Sequence, residues 1–173
     1  MTAKKSMWIL FGVLVISAWG LGSAILSGAE TMKCRNAGTA VKDETIPVAD
    51  EQGHDLGLQL GQGLGFFDNG EIAKMTNYNI YDRRTGKGAQ IIGYTIYTFD
   101  DGSTITTRFQ RLTVVDNSGN ISAQVTAEVI KGTGRYDGMK GTISGTGKNF
   151  QGNKEVPTRY FNDVTFTYTL PPK

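Results

Sequence analysis

From Gly53 to Leu170 the chain runs in short stretches that alternate side-chain character with a period of two, broken by Asp-Gly, Asn-Gly and Ser-Gly turn signals. Ile121, Ala123, Val125, Ala127 and Val129 oppose Ser122, Gln124, Thr126 and Glu128, and Val164, Phe166, Tyr168 and Leu170 oppose Asp163, Thr165, Thr167 and Thr169. Alternate residues of an extended strand face opposite ways, and no window of helical length shows the competing 3.6 period. Ala89 to Phe99 is dense in β-branched and aromatic residues, and Asp100-Asp101-Gly102 turns it back into Ser103 to Val115. Asp68-Asn69-Gly70 and Asp116 to Asn120 are further turns, flanked by Gly53 to Phe67, Ile72 to Tyr81 and the strand from Ile121; Gly141 to Phe150 precedes the last strand. Gly53 to Phe67 sets Leu56, Leu58 and Leu60 against Gly57, Gln59 and Gly61, a strand followed by a bend. An antiparallel meander of this length must hide its edges. The expected fold is therefore all-β, an antiparallel eight-stranded β-barrel, with a two-sheet sandwich as the alternative.

Residues 1–29 read differently. Lys4 and Lys5 precede an uncharged apolar stretch, Met7 to Leu26, and Ser27-Gly28-Ala29 offers small residues for cleavage before Glu30. This is an N-terminal signal peptide or, if uncleaved, an anchor helix just long enough for a ~30 Å hydrocarbon core. Either way the body is expected outside the cytoplasm, secreted or periplasmic, or membrane-anchored with membrane contact only through residues 7–26. Residues 30–52 are polar without a sustained period and read as a flexible leader holding at most a short strand at Thr45 to Val48; residues 53–173 form the barrel domain. Cys34 then lies in the leader as a free thiol, with intermolecular pairing as the alternative; Lys33 beside it does not suit a lipid-modified cysteine.

Charge and residue counts exclude several functions. The chain has 18 Lys+Arg and 16 Asp+Glu, and Lys4 and Lys5 are the only charges before Glu30, so the body is neutral. A domain that grips phosphates needs a basic surplus, so no nucleic-acid partner is expected. One Cys and one His give no cysteine-based or multi-histidine metal site, and no cofactor is implied. No Ser or Cys stands in a Gly-x-Ser-x-Gly elbow. His54 is followed by Asp55, but adjacent strand residues face apart.

Lys131 to Gly147 holds six glycines. Gly132-x-Gly134 begins like a dinucleotide loop, but Asp137 stands where its third glycine would be, and strands flank the run. The glycines serve tight turns and close backbone approach. The segment VIKGTGRYDGMKGTISGTG, with IGYTIYTFDDGSTI before it and YFNDVTFTYTL after it, resembles the allene oxide cyclase-like barrel proteins, a group that includes the plant cyclases, the similarly built dirigent proteins and many bacterial proteins. The resemblance covers roughly Gly53 to Leu170. It implies an eight-stranded antiparallel barrel with a mostly apolar cavity, and oligomers like those of the plant members, so a homo-oligomer is a further expectation. The cyclases' catalytic carboxylate lies in N-terminal strands where this sequence has no matching Glu or Asn, so no catalytic residue is carried over.

The ligand-lining candidates are Tyr94, Tyr97, Phe109, Arg108, Arg111, Glu128, Phe166 and Tyr168. Arg108 and Arg111 have opposite parity on one strand, so no more than one of them could line a cavity and bind a carboxylate, and for each the first expectation is a solvated arginine outside the barrel. Glu128 shares the polar face of its strand, which is expected outside unless that face turns inward. The aromatics are core residues first, and Tyr94 and Tyr97 cannot both face in. The functional expectation is an exported barrel that binds a small apolar molecule. The alternatives are an isomerase or cyclase using the cavity as a conformational mould, and a structural barrel filled by its own side chains.

Overall fold

The computed structural model describes residues 28–150, 152 and 156–172, so the expected signal or anchor helix lies outside the described residues. Eight strands, β1 Glu30–Pro47, β2 His54–Phe67, β3 Ile72–Arg84, β4 Gly88–Thr98, β5 Thr104–Val115, β6 Ile121–Thr133, β7 Lys140–Phe150 and β8 Arg159–Thr169, follow one another as antiparallel neighbours. β8 pairs back onto β1, from Glu30 opposite Tyr168 to Thr39 opposite Arg159, so the sheet closes and no sandwich forms. A single 3-10 turn, Gly134–Tyr136, interrupts the strands among the described residues. Gly102 has φ +80° in the β4–β5 hairpin, the backbone conformation for which the Asp-Gly signal selects.

The largest departure from the sequence reading is β1. The leader expected at residues 30–52 is mostly a barrel strand, hydrogen-bonded to β2 and β8 on its two sides. Its inward side chains are Met32, Cys34 and Asn36, followed by Gly38, while Thr31, Lys33 and Arg35 face water. A strand whose inner face ends in Asn and Gly carries little hydropathy contrast, which is why its period is faint. Past Thr39 it outruns β8 and continues along β2 only, with an irregularity in register between Ala40 and Lys42.

In β2 the leucines face outward. Leu56 and Leu58 are 45% and 55% exposed, while Gly57 and Gly61 are buried. Tyrosines from other strands occupy the space above those glycines: a Cβ at Gly57 would fall on the Tyr81 ring, and one at Gly61 would stand 3.1 Å from the Tyr160 hydroxyl.

The barrel interior has two halves. At the end that carries the β2–β3 and β4–β5 turns, Phe67, Phe99, Phe166 and Tyr136 form a plug. Ring centroids lie 5.2 Å apart for Phe67–Phe99, 5.9 Å for Phe67–Phe166 and 4.9 Å for Phe99–Tyr136. The 3-10 turn lays Tyr136 and Met139 across this end. Each fully buried Phe contributes about 1.5–3 kcal/mol of apolar burial, which makes this end the anchor of the fold.

Cys34 belongs to that core and is only 2% exposed, not a thiol in a leader. Burial, with Asp68 and Asp163 nearby, pushes its pKa up to about 12. The thiolate is the nucleophile, so the native thiol should stay unmodified by a disulfide reagent at pH 8 and react at once in guanidinium chloride. Rapid labelling of the native protein would mean that β1 detaches readily. The same burial removes Cys34 from intermolecular pairing in the folded barrel.

Candidate functional site

The other half of the interior is a cavity of about 370 Å³, rimmed by the β3–β4 turn at residues 85–88. Period two builds it. On β5 the inward residues run Ile105, Thr107, Phe109, Arg111 and Thr113, from the plug towards the rim. β3 contributes Met75, Asn77, Asn79 and Tyr81, β4 Thr95 and Tyr97, and β8 Tyr160, Asn162 and Val164. The floor is apolar, with Tyr97, Phe109, Val125, Ile143 and Val164, while the walls above it carry amides, hydroxyls and a guanidinium.

Arg111, 8% exposed, is the one buried charged side chain among the described residues that line the cavity. Its Nη2 donates to Asn149 Oδ1, and its Cζ sits 5.8 Å from the centroid of the Tyr160 ring. Burial lowers its pKa to about 10, so it remains a cation at neutral pH. Asn77 Nδ2 donates to Tyr160 Oη at 2.5 Å, and Asn36 Nδ2 donates to Tyr97 Oη at 3.0 Å. Burial pushes the Tyr160 phenol up to about 12, against a smaller opposing pull from Arg111 and Asn77, and raises that of Tyr97 as well. Both phenols therefore stay protonated. Arg111 Nε and the Oδ1 atoms of Asn77, Asn79 and Asn162 are buried and make no hydrogen bond among the described residues. In an interior, atoms of this kind take their partner from water or a ligand, so they give the cavity a polar lining.

Nearer the rim, Tyr81 Oη donates to Asp43 Oδ1 at 2.7 Å, and Arg83 pairs with Asp55 at 3.0 Å. His54 is buried between Asp50, 2.5 Å from Nδ1, and Asp82, 3.1 Å from Nε2. It thereby ties the β1–β2 turn to β3 and does not line the cavity. Asp55 pairs with Arg83, consistent with adjacent residues facing apart.

Of the sequence candidates, Tyr97, Phe109 and Arg111 line the cavity. Phe166 lies in the plug beneath it, its ring 5.7 Å from that of Tyr97. Tyr168 packs against the core at the plugged end and donates its hydroxyl to Glu30 at 3.0 Å. Tyr94, Arg108 and Glu128 are on the outer surface, where Arg108 and Glu128 stand opposite each other in register and pair at 2.5 Å. They have the parity of the outer face and do not line the interior cavity; Tyr94 and Arg108 instead border a groove on the outer surface of β2 to β4. Tyr160, Asn77, Asn149 and Asn162 are the polar wall that sequence reasoning missed. Asn77 and Asn79 do share a parity with Met75 and Tyr81, but the stronger hydropathy signal of β3, Tyr78 and Ile80, is on the outer face.

No family model matches the chain, and no curated protein does. Among solved structures it is similar to the pterocarpan synthase dirigent protein GePTS1, at 9% identity and TM-score 0.52, over 92% of this chain and 98% of that one. It is also similar to the pterocarpan synthase dirigent protein PsPTS1, at 10% identity and TM-score 0.43, over 82% of this chain and 97% of that one. The first of these likenesses shows that the chain has the barrel fold of a dirigent protein.

Proposed function

We propose that the protein binds one small molecule in the open half of its barrel, with the apolar body of the ligand on the Tyr97–Phe109 floor and its polar end among the wall amides and Arg111. The observation that carries this is the cavity itself. Its volume of about 370 Å³ falls at the lower end of the range for ligand pockets, and buried polar atoms without partners surround it. A barrel evolved only as structure would be filled by its own side chains throughout, as the aromatic plug fills the other half. An apolar fluorescent probe should bind the folded chain with one-site saturation and raise its melting temperature as probe exceeds the dissociation constant. Phe109→Ala should change the probe's affinity. Probe binding that is non-saturable, or that leaves the melting temperature unmoved, would defeat the reading.

A second reading within the same site is a conformational mould for an isomerisation or cyclisation. It draws on the resemblance to the allene oxide cyclase-like proteins and on a structural neighbour named as a synthase. A mould needs only a shaped floor and one or two positioned polar groups. Export completes the proposal. β1 begins at Glu30, directly after the expected cleavage site, so cleavage there would leave the barrel whole. N-terminal sequencing of the protein recovered outside the cytoplasm should read from Glu30, or from the original N-terminus if the segment is retained as an anchor.

The outer face supports self-association. Leu58, Ile80 and Ile92 form one cross-strand row and Leu60, Tyr78 and Tyr94 a second, so apolar side chains cover β2 to β4. Glu44 and Lys42 flank the rows on one side and Arg108 with Glu128 on the other, a rim of both signs that suits a second copy of itself. Exposed apolar surface of this extent is a feature of interfaces. Sedimentation should show an oligomer that Ile80→Asp with Tyr94→Asp converts to monomer. A wild-type monomer at all concentrations would remove this part of the proposal.

A further inference from the structure

Resting on the cavity-binding reading, we infer that the anchoring group of the ligand is a carboxylate, received by the Arg111 guanidinium with the Tyr160 hydroxyl beside it. Arg111 is a cation withdrawn from water on the inner wall, and its partners are neutral: the Asn149 side-chain carbonyl and the face of the Tyr160 ring. The acids of the neighbouring strands are engaged elsewhere. Asp43 accepts from Tyr81 and Gln59, Asp55 pairs with Arg83, Glu128 pairs with Arg108 on the outer face, and Asp163 pairs with Arg35 on the outer face. Among the described residues no carboxylate pairs with Arg111, and the Tyr160 phenol whose ring it faces is protonated at neutral pH.

A buried cation without a counter-charge is costly, and proteins hold one where an anion arrives. The other arginines of the inner rim show the contrast: Arg83 and Arg84 each have a carboxylate within 3.0 Å. Guanidinium presents several N–H groups in a plane that matches the two oxygens of a carboxylate. Nη2 spends a hydrogen on Asn149, and Nε has no acceptor among the described residues. Tyr160 Oη accepts from Asn77, which leaves the phenol's own hydrogen to donate. Phe109 lies on the same face of β5, two residues nearer the plug, and so offers a surface for an apolar group attached to the carboxylate. The inference is therefore a small carboxylic acid with its apolar part directed towards the plug.

The test compares benzoate with benzamide, two probes of the same shape that differ in charge and are small enough for this cavity, titrated at pH 7 into the full-length chain by calorimetry. Benzoate should bind at least about tenfold more tightly than benzamide, the scale of a charge-assisted hydrogen-bonded pair. Arg111→Leu should bring the ratio close to one while benzamide still binds, and Tyr160→Phe should lower it partway. Without ligand, Arg111→Leu should melt at the same temperature or higher, because an unpaired buried cation has been removed. If Arg111→Leu fails to fold, Arg111→Gln provides the same comparison. Equal binding of the two probes would overturn the inference and leave the cavity reading standing. Binding of neither would overturn both. A benzoate preference that survives Arg111→Leu and Arg111→Gln, with a lowered melting temperature in those variants, would make Arg111 a structural cation and overturn the inference alone.

Discussion

A chain that starts at His54, and so lacks β1, is expected to show no cooperative melting transition, whereas a chain that starts at Glu30 melts as one unit. β1 is the strand that closes the barrel: it pairs with β2 from Cys34 to Pro47 and with β8 from Glu30 to Thr39. Its removal leaves both of those strands with an unpaired edge, an invitation to aggregation. It also withdraws Met32 and Cys34 from the core and Asn36 from the Tyr97 hydroxyl. Losing a buried Met side chain alone costs about 2–5 kcal/mol, and a domain has only about 5–15 kcal/mol in total. Circular dichroism and gel filtration of the two chains decide the matter. A sharp transition from the shorter chain, within a few degrees of the longer one, would mean that residues 30–47 are an accessory after all.

Gly141→Val and Gly134→Val are expected to lower stability by about 3 kcal/mol or more each, for two different reasons. Gly141 sits where β7 runs against β8. A Cβ there would stand 2.8 Å from Tyr168 Cα and closer still to the Thr167 carbonyl oxygen, and backbone cannot swing aside as a flexible side chain can. Gly134 has φ +62°, which a β-branched residue tolerates poorly, and its Cβ would meet Ser103, at 3.1 Å from Cβ and 3.2 Å from Cα. Ser103 has little freedom to yield. Its Oγ accepts from the Arg135 amide at 3.1 Å and donates to Asp101 at 3.0 Å, which fastens the 3-10 turn over the plug. Gly119 is the control. It too has positive φ, at +81°, but nothing lies within 4 Å, so Gly119→Ala should cost only about 1 kcal/mol. Urea melts compare all three. Unchanged midpoints at positions 134 and 141 would place the glycine run in a loose surface loop.

The β4–β5 hairpin, β6 and β8 were legible as strands because each combines a clean period of two with turn chemistry at its end, which also sorts Tyr97 from Tyr94 and Val125 from Thr126 onto opposite faces. The opposite facing of Arg108 and Arg111 was likewise legible, since parity is a local property of an extended chain. The polar wall was not. Asn77 comes from β3 and Asn149, Tyr160 and Asn162 from β7 and β8 far along the chain, and nothing local marks an asparagine as inward. β1 escaped notice because its inner face passes from Met32 and Cys34 to Asn36 and Gly38 within one strand.

The sequence by itself determined that the body from Gly53 on is all-β, where most strands turn, and which side chains share a face. Only the tertiary structure decided which face is the inside. β2 shows why: hydropathy would turn Leu56 and Leu58 inward, yet the glycine face is inside, because Tyr81 and Tyr160 reach across from other strands and fill that space. The interior of a closed barrel has a fixed volume shared by all eight strands. Whether a given residue fits there depends on what the other strands have already placed in it, and that is a property of the closed sheet.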